Sequence, residues 1–129
     1  MIFLETSFLI SLFVDADSNH QKARIRYPSG EKGLVTSEDN LKEALTVISQ
    51  RRGRTASIDA YQQVIRDCDL LPVSSERFRA GLNLFLNPKL QKDISLIDCI
   101  TAAICKELKI KKILTFDYHF KSFGLHLFP

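Results

Sequence analysis

Four acidic side chains stand where a folded chain could gather them. Glu5 and Asp117 each follow a short apolar run, and Glu43 and Asp98 lie near the beginnings of two predicted helices. Clustered carboxylates repel one another, and burying them without partners costs several kcal/mol or forces protonation. A divalent cation removes that penalty, so the four acids predict a metal site.

The ligand types indicate which ion such a site would hold. Carboxylate oxygens are hard ligands, and no cluster of His or Cys accompanies them in the sequence, which favours Mg²⁺ or Mn²⁺ over Zn²⁺. Such an ion lowers the pKa of a water and neutralises charge on a phosphodiester, so we expect hydrolysis of nucleic acid. We expect Asp98 and Asp117 to hold the metal together with Glu5 or Glu43, with Glu5 as the preferred third ligand.

Each acid also has a structural interpretation. Asp98 lies three residues after Ser95 and could be a capping-box acid, stabilising its helix by about 0.5 to 1 kcal/mol. Glu43 could be a solvated helix residue, and Asp117 could begin a turn. Glu5 is harder to explain in this way, because a carboxylate directly after a buried strand needs a partner.

Short apolar runs predict the strands that carry these acids. Five segments fit a buried strand: Ile2–Leu4, Leu34–Thr36, Leu70–Val73, Ile113–Phe116 and Leu125–Phe128. Pro72 cannot donate a backbone hydrogen bond, so it places its strand at an edge or marks the strand's end.

Apolar residues at helical spacing fill the segments between these strands. The predicted helices carry Phe8, Leu9, Leu12 and Phe13; Ala23 and Ile25; Leu41, Leu45 and Ile48; Ile58, Tyr61, Val64 and Ile65; Phe78, Leu82 and Phe85; and Leu96, Ile97, Ile100, Ala103, Ile104 and Leu108. Ser95 is the predicted N-cap of the last helix. Thr36 with Asp39 could form a capping box for the helix after the second strand.

Strands that alternate with helices are typical of the α/β class. We predict a single domain over residues 1–129, a sandwich with a central parallel sheet of four to five strands flanked by helices on both faces. The carboxyl ends of parallel strands meet at one edge of the sheet, where ligands bind. The acids should therefore converge at that edge.

Composition narrows the class of protein. The chain of 129 residues is 45% hydrophobic and 26% charged, which is ordinary for a globular protein. No apolar run approaches the roughly 20 residues that span a bilayer. Cys68, Cys99 and Cys105 lack metal-ligand spacing, and we expect reduced core thiols in a cytoplasmic protein without a membrane anchor.

Basic residues suggest where a nucleic acid would bind. The net charge of +3 permits a polyanionic partner without requiring one. Arg51, Arg52 and Arg54 are candidate contacts for an RNA backbone. The alternative is that Arg51 and Arg52 complement a helix C-terminus that Gly53 caps in the αL conformation.

Two histidines receive a structural interpretation. His119 stands between Tyr118 and Phe120, and we interpret it as a residue that packs a turn rather than as a general base. His126 lies in the last predicted strand and receives the same interpretation.

The motifs together resemble the PIN-domain family. The opening Met1–Ile10, with Glu5-Thr6-Ser7 after the first strand, is similar to the family's first motif. Ser95–Ala103 resembles its "SLxDaxxaa" helix, and Ile113–Phe120 resembles its "xxTfDxxF" strand and turn. Glu43 matches the acid that the family carries on its third helix. Length and motif order most resemble the VapC-type toxins of toxin–antitoxin pairs.

The resemblance implies a function. It implies Mg²⁺- or Mn²⁺-dependent endoribonuclease activity, a cognate antitoxin that occludes the acidic pocket, and a homodimer. Glu43, Asp98 and Asp117 would form the acidic site, and the hydroxyls of Thr6 or Ser7 and of Thr115 would hold waters or carboxylates.

One position departs from the family pattern. The first acid of the family is normally Asp, whereas this sequence has Glu5, whose carboxylate reaches about 1.5 Å further, one C–C bond. Mg²⁺ tolerates little distortion of its octahedral geometry. The alternative hypothesis is therefore a catalytically weakened or inactive PIN-like scaffold that binds RNA or an antitoxin.

Two other classes with acids at a sheet edge fit poorly. A phosphatase that forms an aspartyl phosphate needs Asp-x-Asp after the first strand, where this chain has Glu5-Thr6-Ser7. A receiver domain needs its phosphoacceptor Asp at the end of the third strand, where this chain has Pro72-Val73-Ser74.

Overall fold

The structure, a computed structural model, describes residues 1–127 as five strands, six α-helices and one 3₁₀ helix. The strands are β1 Ile2–Leu4, β2 Leu34–Ser37, β3 Asp69–Leu71, β4 Lys112–Leu114 and β5 His126–Leu127. The α-helices are α1 Thr6–Phe13, α2 His20–Arg26, α3 Glu38–Arg52, α4 Arg54–Asp67, α5 Ser75–Phe85 and α6 Leu96–Glu107, and Tyr118–Phe123 is the 3₁₀ helix.

The five strands form one sheet in the order β3-β2-β1-β4-β5, and every pairing is parallel. The α/β class with a parallel sheet is therefore confirmed. β1 lies at the centre, and its register with β4 pairs Leu4 with Leu114. The segments that follow β1 and β4 consequently begin side by side at the carboxyl edge.

Helices cover both faces of the sheet. Successive strand residues point to opposite faces, so each inner strand contributes to two cores. One core contains Leu4, Leu34 and Leu114 with residues of α1 to α4, and the other contains Phe3, Val35 and Ile113 with residues of α6 and Phe120. Inner strands that are buried on both faces are typical of parallel sheets, and they explain the unbroken apolar runs in the sequence.

Some predicted boundaries were wrong by one to three residues. β4 ends at Leu114 and not at Phe116, so Asp117 does not follow the strand directly. β3 ends at Leu71, just before Pro72, and lies at the sheet edge as predicted. The fifth strand spans only His126–Leu127, and the predicted end at Phe128 lies outside the described residues.

The predicted capping box of Thr36 with Asp39 was also wrong. Ser37 is the N-cap of α3, and its Oγ accepts a hydrogen bond from the Asn40 N–H at 3.2 Å. Thr36 is fully buried in β2, and its Oγ1 donates to the Leu4 carbonyl oxygen at 2.7 Å. The neighbouring strand thus takes the hydroxyl that the capping box would have used.

The predicted apolar face of α4 was largely wrong. Ile58, Tyr61 and Ile65 are 48%, 45% and 42% exposed, and only Val64 of that set is buried. The helix instead turns Ser57, Ala60 and Val64 inward, and the Ser57 Oγ donates to the carbonyl oxygen of Leu45 on α3 at 2.8 Å. Small residues on the inner face bring α3 and α4 close and leave the larger apolar side chains outside.

α5 repeats this arrangement against α6. Phe78 and Phe85 are 42% and 40% exposed, contrary to the predicted buried face, whereas Gly81 is buried. A Cβ at position 81 would lie 2.4 Å from Cγ1 and 2.6 Å from Cα of Ile100. The absence of a side chain at Gly81 therefore allows α5 to approach α6 next to Asp98.

The cysteines lie in the interior of the protein. All three cysteines are free and buried, as predicted, and burial raises the pKa of the Cys68 and Cys105 thiols to about 12. Such thiols behave as small apolar side chains. Among residues 1–127, no helix is long and apolar enough to cross a membrane.

Candidate active site

Glu5 occupies the carboxyl end of the central strand and is the N-cap of α1. Its side chain is buried, and three donors bind its Oε1. The Ser7 N–H donates at 3.1 Å, the Ser7 hydroxyl at 2.5 Å and the Thr115 hydroxyl at 2.5 Å. These bonds join the segments after β1 and β4.

Burial raises the pKa of the Glu5 carboxyl to about 7, although the hydrogen bonds from Ser7 and Thr115 act in the opposite direction. The nearby carboxylate of Asp98 raises it further. In the metal-free protein this carboxyl is therefore only partly ionised near neutral pH. A cation at the site would favour its charged form.

Asp98 lies in the first turn of α6 and forms the predicted capping box with Ser95. The Ser95 N–H donates to Asp98 Oδ2 at 3.1 Å, and the Asp98 N–H donates to Ser95 Oγ at 3.0 Å. Desolvation raises the pKa of Asp98, the capping hydrogen bonds lower it, and the charge of Asp117 raises it again. Asp98 therefore stabilises the start of α6 as a capping-box residue, and its carboxylate also lies close to that of Asp117.

Asp117 is the N-cap of the 3₁₀ helix Tyr118–Phe123. Its Oδ1 accepts a hydrogen bond from the His119 N–H at 2.9 Å, and its own N–H donates to Thr115 Oγ1 at 3.0 Å. The turn role that the sequence suggested for Asp117 is therefore present as well. The turn orients the carboxylate towards Asp98.

Asp98, Asp117 and His119 form the tightest cluster of possible metal ligands among the described residues. One ligand atom from each lies within 4.8 Å of the others. The His119 Nδ1 also lies 3.0 Å from Asp117 Oδ1. One histidine, and no cluster of His or Cys, therefore accompanies these acids. The sequence places His119 two residues after Asp117, but no local pattern indicates its approach to Asp98.

Glu43 is brought to the same edge through Thr6 and not through the other acids. The Thr6 hydroxyl lies 3.1 Å from Glu43 Oε1, and Glu43 is exposed on the second turn of α3. Neither Glu43 nor Glu5, the preferred third ligand in the sequence analysis, is a member of the cluster of Asp98, Asp117 and His119. Thr6, Ser7 and Thr115 thus all contact carboxylates.

Asn40 supports this arrangement, although no motif in the sequence singles it out. It is 1% exposed, and its Oδ1 accepts from the Thr6 N–H at 3.0 Å and lies 2.9 Å from the Thr6 hydroxyl. Its Nδ2 donates to Ser37 Oγ at 2.7 Å and to Thr101 Oγ1 at 2.9 Å. One amide therefore links α1, α3 and α6 beneath the acids.

The candidate RNA-binding arginines lie apart from the acids. Arg51 and Arg52 pair with Asp17 at 3.4 Å and Asp15 at 3.3 Å, two acids that follow the end of α1. The acids of the site lie at the other end of α1, where Thr6 begins the helix. Arg51 is about 12 Å from Glu43 along the axis of α3, given a rise of about 1.5 Å per residue.

The end of α3 differs from the predicted αL cap. Gly53 has φ 95° and ψ 164°, a positive φ outside the αL region. It serves both as C-cap of α3 and as N-cap of α4, and its extended ψ is typical of an N-cap residue. The Arg54 side chain folds back and donates to Ser49 Oγ at 3.0 Å.

The donor set suits a divalent cation. Asp98 and Asp117 lie together with the His119 ring, and Glu5 lies near enough that the charge of Asp98 raises its pKa. Oxygen-rich sets of this kind bind Mg²⁺ or Mn²⁺. The raised pKa values of Glu5 and Asp98 show that negative charge at the site is costly without a counter-ion.

The chain is thus an α/β protein with a cluster of acids at the carboxyl edge of a five-stranded parallel sheet. The PIN domain model matches residues 2–124, and the chain belongs to that family. Its structure is similar to that of VapC20 from Mycobacterium tuberculosis, described as a toxin that cleaves the sarcin–ricin loop. The TM-score is 0.87 at 23% identity, with 98% of this chain and 97% of the other covered. No curated protein sequence matches the chain.

Proposed function

We propose that this protein is a divalent-metal-dependent endoribonuclease. The observation that carries the proposal is the meeting of Asp98 and Asp117 beside the buried Glu5 at the carboxyl edge of a PIN domain. Two carboxylates that repel each other at a ligand-binding edge indicate a bound cation. The substrate class, RNA, follows from the family resemblance.

Three acids would hold the metal ion, and two hydroxyls would position one of those acids. A bound Mg²⁺ or Mn²⁺ would supply a water of lowered pKa and positive charge towards the phosphodiester. Asp98, Asp117 and Glu5 would hold the ion, and Ser7 and Thr115 keep the Glu5 carboxylate in place through its Oε1.

Glu43 would act from the rim of the site. Its carboxylate is exposed and lies 3.1 Å from the Thr6 hydroxyl, which supports a role as acceptor of a proton during hydrolysis. Arg51, Arg52 and Arg54 would contact the RNA backbone at a distance from the cut, since all three are exposed.

We propose further that the protein is the toxin of a VapC-type pair. Its fold is similar to that of a toxin described as cleaving an RNA loop, and its motifs resemble the same class. A cognate antitoxin and a second copy of the chain are the expected partners. The exposed apolar side chains of Ile58, Tyr61 and Phe78 offer surface for such contacts. Light scattering after gel filtration tests the homodimer.

We also propose that the chain works as a single domain in the cytoplasm. Two cores on the faces of one sheet support the first point. Three free, buried thiols are consistent with a reducing compartment.

A weakened enzyme is the second candidate. The favouring observation is that Glu5 Oε1 is occupied by three hydrogen bonds, so part of the carboxylate serves local structure. Replacing Glu5→Asp distinguishes the two. If the site requires the length of the Glu5 side chain, the Glu5→Asp variant loses these hydrogen bonds and cleaves RNA no faster than wild type. A large gain in metal-dependent cleavage would favour the weakened enzyme.

The direct test of function is cleavage of a labelled RNA with Mg²⁺, Mn²⁺ or EDTA. Wild type is compared with Asp98→Asn, Asp117→Asn and the control Asp59→Asn, an exposed acid on α4. Loss of several kcal/mol of metal stabilisation corresponds to at least about 100-fold in rate for the two site variants. Cleavage that resists EDTA, or equal rates for all variants, would refute the proposal.

A further inference from the structure

His119 is placed by the same turn that places Asp117. Its backbone N–H donates to Asp117 Oδ1 at 2.9 Å, and its Nδ1 lies 3.0 Å from the same oxygen. These contacts hold the imidazole beside the carboxylate. Asp98 reaches this pair from α6, so the three ligand atoms come from two separate segments of the chain.

The His119 ring is only partly buried. Its side chain is 32% exposed, similar to the 31% of Asp117, whereas the neighbouring Phe120 is fully buried and fills the core. The imidazole therefore has solvent access while its Nδ1 stays in contact with the carboxylate of Asp117.

A nitrogen donor changes which ions a site prefers. Mg²⁺ binds carboxylates and waters and uses imidazole poorly, whereas first-row transition ions accept imidazole readily. Mn²⁺ accepts carboxylate oxygens as Mg²⁺ does, and it is the transition ion best matched to a set of acids with one ring nitrogen. A site made only of carboxylates would show a smaller difference in affinity between Mg²⁺ and Mn²⁺.

We propose that His119 is a metal ligand together with Asp98 and Asp117, and that it shifts the site's preference from Mg²⁺ towards Mn²⁺. The inference rests on the proposed function only in requiring that the acids bind a divalent ion. It assigns to the chain a nitrogen ligand that an acid-only site lacks. On binding, the ring exchanges its contact with Asp117 Oδ1 for the ion.

Electron spin echo measurements on bound Mn²⁺ test this directly, because a coordinated imidazole nitrogen modulates the echo. The chain has three histidines, His20, His119 and His126. Wild type loaded with Mn²⁺ should show nitrogen modulation. His119→Ala and His119→Gln should lose it, and the matched control His126→Ala, an exposed residue of β5, should keep it.

Affinity provides a second readout that does not require RNA cleavage. Titration of free Mn²⁺ by its electron paramagnetic resonance signal should show about a 10-fold or larger loss of affinity in His119→Gln. Competition with Mg²⁺ should show a much smaller change for that ion. Equal losses for both ions would overturn the preference that we assign to His119.

The outcomes separate this inference from the proposed function. Bound Mn²⁺ without nitrogen modulation in wild type, but with binding lost in Asp98→Asn, would overturn the role of His119 and leave the acidic metal site standing. Mn²⁺ that fails to bind wild type, or binds Asp98→Asn equally well, would overturn both.

Discussion

Oγ1 of Thr115 lies 2.5 Å from Oε1 of Glu5, and this bond joins the segments that leave β1 and β4. The two strands pair Leu4 with Leu114, so Glu5 and Thr115 are equivalent residues one step past the sheet. The Ser7 hydroxyl lies 3.2 Å from the Thr115 hydroxyl and accepts from the Phe116 N–H at 2.9 Å. Sheet register therefore fixes where the first acid of the site points.

The raised pKa of Glu5 predicts how stability depends on pH. A carboxyl whose pKa is about 7 in the folded protein and 4.5 unfolded binds more protons when folded within that window. In EDTA, the free energy of unfolding should therefore fall as pH rises from 4.5 to 7, by up to about 3 kcal/mol from this group. Urea denaturation at pH 4.5 and 7.5 measures the fall.

The matched variant for that test is Glu5→Gln. Its amide oxygen still accepts from Ser7 and Thr115, but the side chain cannot ionise. We expect a smaller fall than in wild type over the same pH range. Identical pH dependence in the two proteins would show that Glu5 ionises normally. Asp98 has its pKa raised as well and contributes in the same direction in both proteins, so the difference reports Glu5 together with its charge interaction with Asp98.

Replacing Asn40→Ala should destabilise the protein by about 2 to 4 kcal/mol. The variant leaves the Thr6 N–H and the Thr101 hydroxyl without their buried partner, and each unsatisfied group costs about 1 to 3 kcal/mol. The control Thr46→Ala, which removes an exposed bond to the Lys42 carbonyl oxygen, should cost far less. Equal midpoints of urea unfolding for the two variants would show that the hydrogen bonds of Asn40 do not stabilise the protein.

Gly81→Ala should also destabilise, against the usual helix preference. Alanine gains about 1 kcal/mol over glycine in a helix. At position 81, however, the added Cβ would lie 2.6 Å from the backbone Cα of Ile100, which cannot move aside cheaply. We expect a net loss of about 1 to 3 kcal/mol in thermal or urea unfolding. Asn83→Ala, at an exposed position of the same helix, should be neutral or slightly stabilising.

Asp98→Asn should separate stability from metal binding. The amide oxygen of Asn can still accept from the Ser95 N–H, and the variant removes repulsion with Asp117. In EDTA its melting temperature should equal or exceed that of wild type. Adding Mn²⁺ at about 100 times its Kd should stabilise wild type by about 2.7 kcal/mol and leave the variant unchanged. A shift of equal size in both would place the ion elsewhere.

The sequence was sufficient to predict the sheet and the acids at its edge. Ile2–Leu4 and Leu34–Thr36 are unbroken apolar runs, since those strands are buried on both faces. Once the strands are parallel, the position of Glu5 follows from chain direction alone. Asp98 followed from Ser95, because a capping box is a local pattern of side chain and backbone.

Features that depend on contacts between distant segments could not be predicted. His119 joins Asp98 only because α6 begins beside the turn after β4. Asn40 resembles an ordinary polar helix residue until Thr6 and Thr101 approach it from other helices. The exposed Ile58 and Tyr61 fit a helical period, but periodicity cannot reveal that α4 packs through its small residues.

The central claim is that Asp98 and Asp117 share one divalent ion. The most direct test is anomalous diffraction from crystals soaked in Mn²⁺, which locates the metal without reference to activity. We predict a peak within bonding distance of carboxylate oxygens of both residues, with Glu5 and a ring nitrogen of His119 beside it. A peak bound to other residues, or none at this edge under saturating Mn²⁺, would contradict the account.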